Sequence, residues 1–120
     1  MKSVKILGSE YWLKEEKYSE SDFMRQNEID GYCDWAEKTI VYADTSEKEH
    51  FCLDTKEARE RVRNHIIRHE LIHAFLSESG LRESAMTFEK PWPINEEMVD
   101  WFAAMLPKIF AACEEVRCLE

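Results

Sequence analysis

The sequence contains few residues that interrupt regular structure, with three glycines and three prolines among 120 residues. Because Gly and Pro are the strongest local breaks, long uninterrupted elements are expected. The chain also lacks any run approaching the ~20 apolar residues of a membrane-spanning helix, and its N-terminus lacks the sustained apolar stretch of a secretion signal. We therefore expect a cytoplasmic protein with no membrane partner.

Positive charge is scarce, because 16 Lys and Arg face 25 Asp and Glu, for a net charge of −9. This excess repels phosphate backbones, so nucleic acid is not expected as a direct ligand. The four cysteines include no C-x-x-C pair. We expect reduced thiols rather than a disulfide framework or a separate structural zinc site.

The rest of the composition is that of a folded domain, since 44% of the residues are hydrophobic. The chain has the size of one ordinary domain, and residues 1–120 are expected to form one. Mixed β-branched and aromatic residues predict a strand within 3–13. They also predict two short strands around a turn at 34–38, the second being Thr39–Ala43. A short helix is expected within 19–30.

A long helix is predicted to begin after Asp54 or Thr55, either of which offers an N-cap, and to end at Ser79–Gly80. Apolar residues recur between these ends at helical spacing, at Val62, Ile66, Ile67, Leu71, Ile72, Phe75 and Leu76. The sequence HELIH, residues 69–73, therefore lies inside a helix.

Helical geometry gives HELIH the form of a metal-ligand pair beside a base. His69 and His73 lie about 40° apart around the axis and about 6 Å apart along it, so both imidazoles can bind one ion. Glu70 is displaced by about 100°, where its carboxylate can miss the ion and still reach a water beside it. Two helical histidines can also be ordinary polar residues, so a chance match stays open. His65 is expected not to be a ligand, because three histidines along one helix diverge over about 12 Å. His50, which precedes this helix, is likewise expected not to be a ligand.

A catalytic zinc site needs a third protein ligand. No histidine follows His73, so this ligand is expected to be a carboxylate. A second long helix, for which Asn95 is the predicted N-cap, opens with Glu96-Glu97-Met98-Val99-Asp100. Glu96 and Asp100 are four residues apart on one face, so one can bind the ion while the other accepts a hydrogen bond from a ligating histidine.

Two further features concern the second helix and the segment before it. Residues 81–93 carry two prolines and are expected to form an irregular linker, in which Trp92 is the tryptophan best placed to touch a ligand. Pro107 is expected to kink the second helix or to begin a new one.

HELIH followed by NEEMVD resembles the H-E-x-x-H plus N-E-x-x-x-D pattern of the gluzincin metallopeptidases. The run NEEMVDWFAAMLP is similar to the E-x-x-x-[ND]-x-F-A-x-x-L-x-P pattern of the ImmA/IrrE-like proteases, which are associated with phages and mobile elements and cleave immunity repressors. The resemblance covers residues 66–107. It implies an α+β, minimal zincin-like domain, in which a small, mostly antiparallel sheet packs on the motif helix and a second helix completes the metal site.

The resemblance also implies a role for each matching residue. His69, His73 and Glu96 would bind one Zn²⁺ per chain. Glu70 would be the catalytic general base, and Asp100 would accept a hydrogen bond from a ligating histidine, with His69 the expected donor.

Two alternatives stay open within this assignment. Glu97 competes with Glu96 for the third ligand position, although it precedes Asp100 by three residues rather than four. The residue that would stabilise an oxyanion is undecided among Tyr11, Tyr42 and His65.

Zincins typically bind their substrate along an edge strand beside the active helix. By that resemblance, Thr39–Ala43 is the candidate edge strand, with Val41 and Tyr42 as candidate substrate-binding residues; an internal strand is the alternative. The leading hypothesis is a zinc-dependent endopeptidase acting on a protein or peptide substrate. The alternatives are a zinc-binding regulatory module with little hydrolytic activity, and a structural helix pair whose motif is coincidental.

Overall fold

The computed structural model describes residues 2–81 and 95–119. Most of the predicted linker, including Trp92, lies outside them. In chain order the described elements are β1 (Lys2–Ile6), β2 (Ser9–Glu16), a 3₁₀ turn (Tyr18–Glu20), α1 (Asp22–Asn27), β3 (Gly31–Asp34), β4 (Thr39–Ala43), α2 (Lys48–Phe51), α3 (Lys56–Glu78) and α4 (Glu96–Glu115). The predicted α+β class is confirmed. Among the described helices, none has the length and apolar character needed to cross a membrane.

The N-terminal segment forms a hairpin, so the prediction of one strand within 3–13 was wrong. β1 and β2 pair antiparallel, with Ile6 opposite Ser9. Leu7 (φ +48°) and Gly8 (φ +90°) between them both adopt left-handed backbone conformations. Such two-residue turns match the twist of the flanking strands. The turn was missed because Gly8 signals it, whereas the apolar Leu7 has the composition of a strand.

The sheet has the strand order β1-β2-β4-β3 and is mixed. β1–β2 and β3–β4 are antiparallel, as expected for most of the sheet, but the central pair β2–β4 is parallel. The prediction that Thr39–Ala43 is an edge strand was wrong, because β4 has a neighbour on each side. Val41 lies opposite both Lys14 and Tyr32.

Tyr42 is enclosed in the same way, between Glu15 of β2 and Gly31 of β3. The backbone around Val41 and Tyr42 therefore cannot accept a substrate strand. In the part of the chain that the structure describes, the sheet edges are β1 and β3.

The two long helices begin at their predicted caps. Thr55 Oγ1 accepts a hydrogen bond from the Ala58 amide at 3.1 Å. Asn95 Oδ1 accepts one from the Met98 amide at 2.9 Å. α3 ends at Glu78, as expected from Ser79–Gly80, and α4 continues through Pro107 as one helix to Glu115.

A polar cluster fixes the C-terminal end of α3 to the hairpin. The buried Tyr11 hydroxyl donates to Glu78 Oε1 at 2.7 Å, and Ser9 Oγ donates to Oε2 at 2.9 Å. Lys38 forms a salt bridge with the same carboxylate. The hydrogen bond from Lys38, followed by that from Tyr11, lowers the pKa of Glu78 to about 2. The helix that carries HELIH is thereby held against the sheet.

Gly31 allows β3 to approach α3 closely. A Cβ at this position would lie 2.8 Å from Ile66 Cγ2, 2.9 Å from the Val41 carbonyl oxygen and 3.4 Å from Glu70 Cγ. The first two distances are shorter than the contacts that real Cβ atoms make. The second of them is to a backbone atom, which cannot rotate away. Glycine therefore lets the edge strand lie directly beside Glu70.

We expect Gly31→Ala to lower the free energy of unfolding by about 1–3 kcal/mol, the usual cost of overpacking a tight site. Urea denaturation measures this loss. Gly8→Ala is the comparison, because its Cβ would meet nothing within 4 Å and its cost would come from the φ of +90° alone. A Gly31→Ala protein as stable as the wild type would contradict the close approach of β3 and α3.

Candidate metal centre

The N-terminus of α4 lies opposite the histidine pair of α3. Glu96 contacts both histidines, with Oε2 at 2.9 Å from His69 Nε2 and Oε1 at 2.9 Å from His73 Nε2. One donor atom from each of the three side chains lies within 4.8 Å of the others. Within residues 2–81 and 95–119, this is the one group of three or more His, Cys, Asp or Glu side chains with such close donor atoms.

The donor set fits a zinc ion. Two imidazole nitrogens and one carboxylate oxygen form the kind of three-ligand set that catalytic zinc sites use, with a further position left open. His69 presents Nδ1 to Asp100 Oδ1 at 3.3 Å. A proton held on Nδ1 by that contact leaves the Nε2 lone pair available to a cation. A metal held by His69, His73 and Glu96 would replace the hydrogen bonds between the histidines and Glu96 with coordination.

Asp100 connects two histidines of α3. Its Oδ1 lies 2.7 Å from His65 Nε2 and 3.3 Å from His69 Nδ1. The hydrogen bond from His65 is the largest contribution that lowers the pKa of Asp100, ahead of the bond from His69. His65 does not belong to the group whose donor atoms could share an ion.

Sequence reasoning missed the contact between His65 and Asp100, although its signal was present. Histidines at 65, 69 and 73 follow one face of α3, and carboxylates at 96 and 100 follow one face of α4. Antiparallel helices pair such rows in reverse order, which brings His73 to Glu96 and His65 to Asp100.

Glu70 lies beside the metal-ligand group but outside it. Its side chain is 8% exposed, and its Oε1 is 4.0 Å from His69 Nε2. Burial raises the pKa of Glu70 to about 7, against the opposing effect of His69 and His73. A carboxyl group with a pKa near neutrality can both accept and release a proton at physiological pH.

The charges of His69, Glu70 and Glu96 affect one another's pKa values. Burial lowers the pKa of His69, but the hydrogen bond that His69 donates to Glu96 and the charge of Glu70 outweigh it, so the pKa is raised. The bonds from His69 and His73 hold the pKa of Glu96 well below its usual range. A metal ion bound through Nε2 of His69 would displace the proton that this nitrogen donates to Glu96.

An open pocket of about 240 Å³ connects this group to the edge of the sheet. Its lining residues are Ile29, Asp30, Gly31, His65, Ile66, His69, Glu70, Glu96 and Asp100. Val41 and Tyr42, predicted to bind substrate, are not among them. Tyr11 is fully buried with its hydroxyl on Glu78, so of the three oxyanion candidates His65 is the one that lines the pocket.

Glu97 faces a different part of the surface. It lines a separate depression with Asn95, Met98 and Trp101. The structure therefore brings together His69, His73, Glu70, Glu96 and Asp100, and it leaves Glu97 outside.

No protein-family model, curated protein or solved structure matches this chain. The resemblance to gluzincins therefore depends on the motif residues within 66–107 alone.

Proposed function

We propose that this protein is a zinc-dependent endopeptidase that hydrolyses a peptide bond in a protein or peptide substrate. The observation that carries the proposal is a buried carboxyl group, Glu70, beside the convergent donor atoms of His69, His73 and Glu96. A site that only holds a metal does not need this neighbour. Its burial costs stability whenever the carboxyl group is ionised, whereas a hydrolytic site requires a base there.

The roles of the site residues follow from their positions. His69 and His73 would hold the metal through Nε2 and Glu96 through its carboxylate, while Asp100 keeps the proton of His69 on Nδ1. When bound, zinc supplies a Lewis acid that polarises the scissile carbonyl and lowers the pKa of water. Glu70 takes a proton from the attacking water onto a carboxylate oxygen and transfers it to the leaving amine.

The β3 edge supports an extended mode of substrate binding. β3 pairs with β4 on one side, and in the described residues no strand lies on its other side. Gly31, its first residue, lines the same pocket as Glu70. A peptide that adds to the free edge of β3 would pass the metal site, with main-chain hydrogen bonds giving affinity. Gly31–Asp34 thus replaces Thr39–Ala43 as the proposed substrate edge.

Metal content is the primary test of the proposal. We expect about one zinc per wild-type chain after dialysis against a weak chelator, and none in His73→Ala. His50→Ala is the matched control, because His50 contacts Asp30 through Nε2 and lies outside the ligand group. Elemental mass spectrometry measures the zinc, and fragment masses from an unfolded protein substrate measure cleavage.

The outcomes separate the three hypotheses. Zinc with cleavage supports the peptidase. Zinc that is lost in His73→Ala but accompanied by no cleavage of any offered substrate favours a regulatory zinc module. A wild-type protein that stays free of zinc after zinc is added would make the HELIH motif coincidental.

A further inference from the structure

Pro107 leaves a buried carbonyl group in α4 without its helical donor. In an α-helix the carbonyl of residue i accepts from the amide of residue i+4, which for Ala103 is residue 107. Proline has no amide hydrogen, so this bond cannot form. Ala103 is fully buried. An unpaired carbonyl at such a position would cost free energy comparable to a lost hydrogen bond.

A side chain from α3 supplies the missing donor. Arg68 Nε donates to the Ala103 carbonyl oxygen at 2.7 Å. Arg68 directly precedes His69, and Ala103 is three residues beyond Asp100. The bond therefore joins the two helices immediately beside the residues that face each other across the site.

We propose that Arg68 is a positioning residue for the metal centre. By donating the hydrogen bond that Pro107 cannot, it fixes the register of α4 against α3, and so holds Glu96 and Asp100 opposite the histidines before a metal arrives. In its effect on the metal, this inference rests on the proposed zinc site. The hydrogen bond between Arg68 and Ala103, which joins the two helices, does not depend on the presence of an ion.

Proline makes the inference testable, because Pro107→Ala restores an amide hydrogen to the Ala103 carbonyl. In wild-type background, Arg68→Met removes the donor but keeps an unbranched apolar stem. We expect it to weaken zinc affinity about tenfold, the scale of residues that orient metal ligands. In the Pro107→Ala background the carbonyl is satisfied within its own helix, so the same substitution should weaken affinity by less than about threefold.

Competition with a chromophoric chelator measures these affinities in folded protein at 25 °C. Arg63→Met is the matched control, because Arg63 is on the same helix and its guanidinium bonds to Asn64. It should leave zinc affinity unchanged. A general loss of stability would not change the affinity of the folded molecules, so the coupling with Pro107 identifies positioning.

A loss that is equal in both backgrounds, or no loss in either, would overturn the inference. If Arg68→Met does not fold but the double variant does, the inference is supported; if neither folds, it is contradicted. Hydrogen exchange of the α4 amides, measured without metal, tests the positioning role of Arg68 independently of whether the zinc proposal is correct. Exchange should be about tenfold faster in Arg68→Met and restored in the double variant, whether or not the wild type binds zinc.

Discussion

Glu70→Gln should lower the rate of peptide hydrolysis by about 10²–10⁴-fold, the usual contribution of a general base, and should leave zinc bound. Glutamine keeps the shape of glutamate but cannot accept the proton of the attacking water. Zinc should be retained because Glu70 is outside the group of donor atoms formed by His69, His73 and Glu96. Single-turnover cleavage and elemental mass spectrometry of the same preparation measure both effects.

The same substitution should stabilise the metal-free fold at high pH. Burial raises the pKa of Glu70 from 4.5 to about 7. A raised pKa means that the stabilising contribution of the protonated group is complete below about pH 4.5 and is lost as the pH rises through about 7. At pH 8 the buried carboxylate is ionised, and glutamine removes this charge.

We therefore expect metal-free Glu70→Gln to be more stable than the metal-free wild type by about 1–3 kcal/mol at pH 8, and nearly equal to it at pH 4.5. Urea denaturation after chelator treatment measures the difference. Glu97→Gln is the control, since this exposed carboxylate on α4 should leave the rate unchanged. Its loss removes a favourable charge near the helix N-terminus, so at pH 8 it should lower the stability by less than about 1 kcal/mol rather than raise it. A Glu70→Gln protein with full activity would exclude Glu70 as the base.

Local features of the sequence predicted α1, α3 and α4 correctly, but not the short helix α2. Thr55 and Asn95 cap α3 and α4 as expected, because an N-cap depends on a side chain and an amide three residues later. The end of β3 and the start of β4, on either side of the turn at 34–38, could also be predicted from nearby residues. What a residue does within its own turn can be inferred from its neighbours in the chain.

The order of the strands depends on contacts between distant segments, and it could not be inferred in this way. β2 and β4 pair in parallel across more than twenty intervening residues, which places β4 inside the sheet and β3 at its edge. Apolar composition cannot separate the two positions, because Ile40 and Val41 would suit either. The relative placement of His69 and His73 could be inferred without the sheet, since helical spacing alone aligns them.

Contacts across the α3–α4 interface were predicted only in part. Spacing placed Glu96 and Asp100 on one face, but the contact between Asp100 and His65 was missed, although the reverse pairing of the two rows indicates it. The hydrogen bond from Arg68 to the Ala103 carbonyl could not be predicted from the sequence, because its acceptor is a backbone atom. A proline inside a helix indicates an unpaired carbonyl four residues earlier, but it does not indicate which side chain will reach it.

Glu96→Ala should weaken zinc binding by at least about 100-fold, since even residues that only orient metal ligands contribute 10–100-fold. Its carboxylate contacts both His69 Nε2 and His73 Nε2, at 2.9 Å each. Alanine leaves two imidazoles, and two ligands do not make a catalytic zinc site. Competition with a chromophoric chelator at constant pH measures the loss.

Glu97→Ala is the matched control, and its zinc affinity should stay within about threefold of the wild type. Both substitutions remove a glutamate from the first turn of α4, so both remove the same favourable charge near the helix N-terminus. The two glutamate side chains point in different directions, because Glu97 lies beside Asn95, Met98 and Trp101 rather than the histidines. The difference between the two variants therefore isolates coordination from helix stability.

The histidines provide a second readout that needs no metal. The hydrogen bond and the charge of Glu96 raise the pKa of His69 against the opposing effect of burial, so Glu96→Ala should lower that pKa while Glu97→Ala should leave it unchanged. Proton NMR titration of the imidazole resonances measures both. If zinc affinity and the His69 pKa responded to Glu97 instead, the third ligand would be Glu97, and α4 would have to be rotated by about 100° from the orientation described.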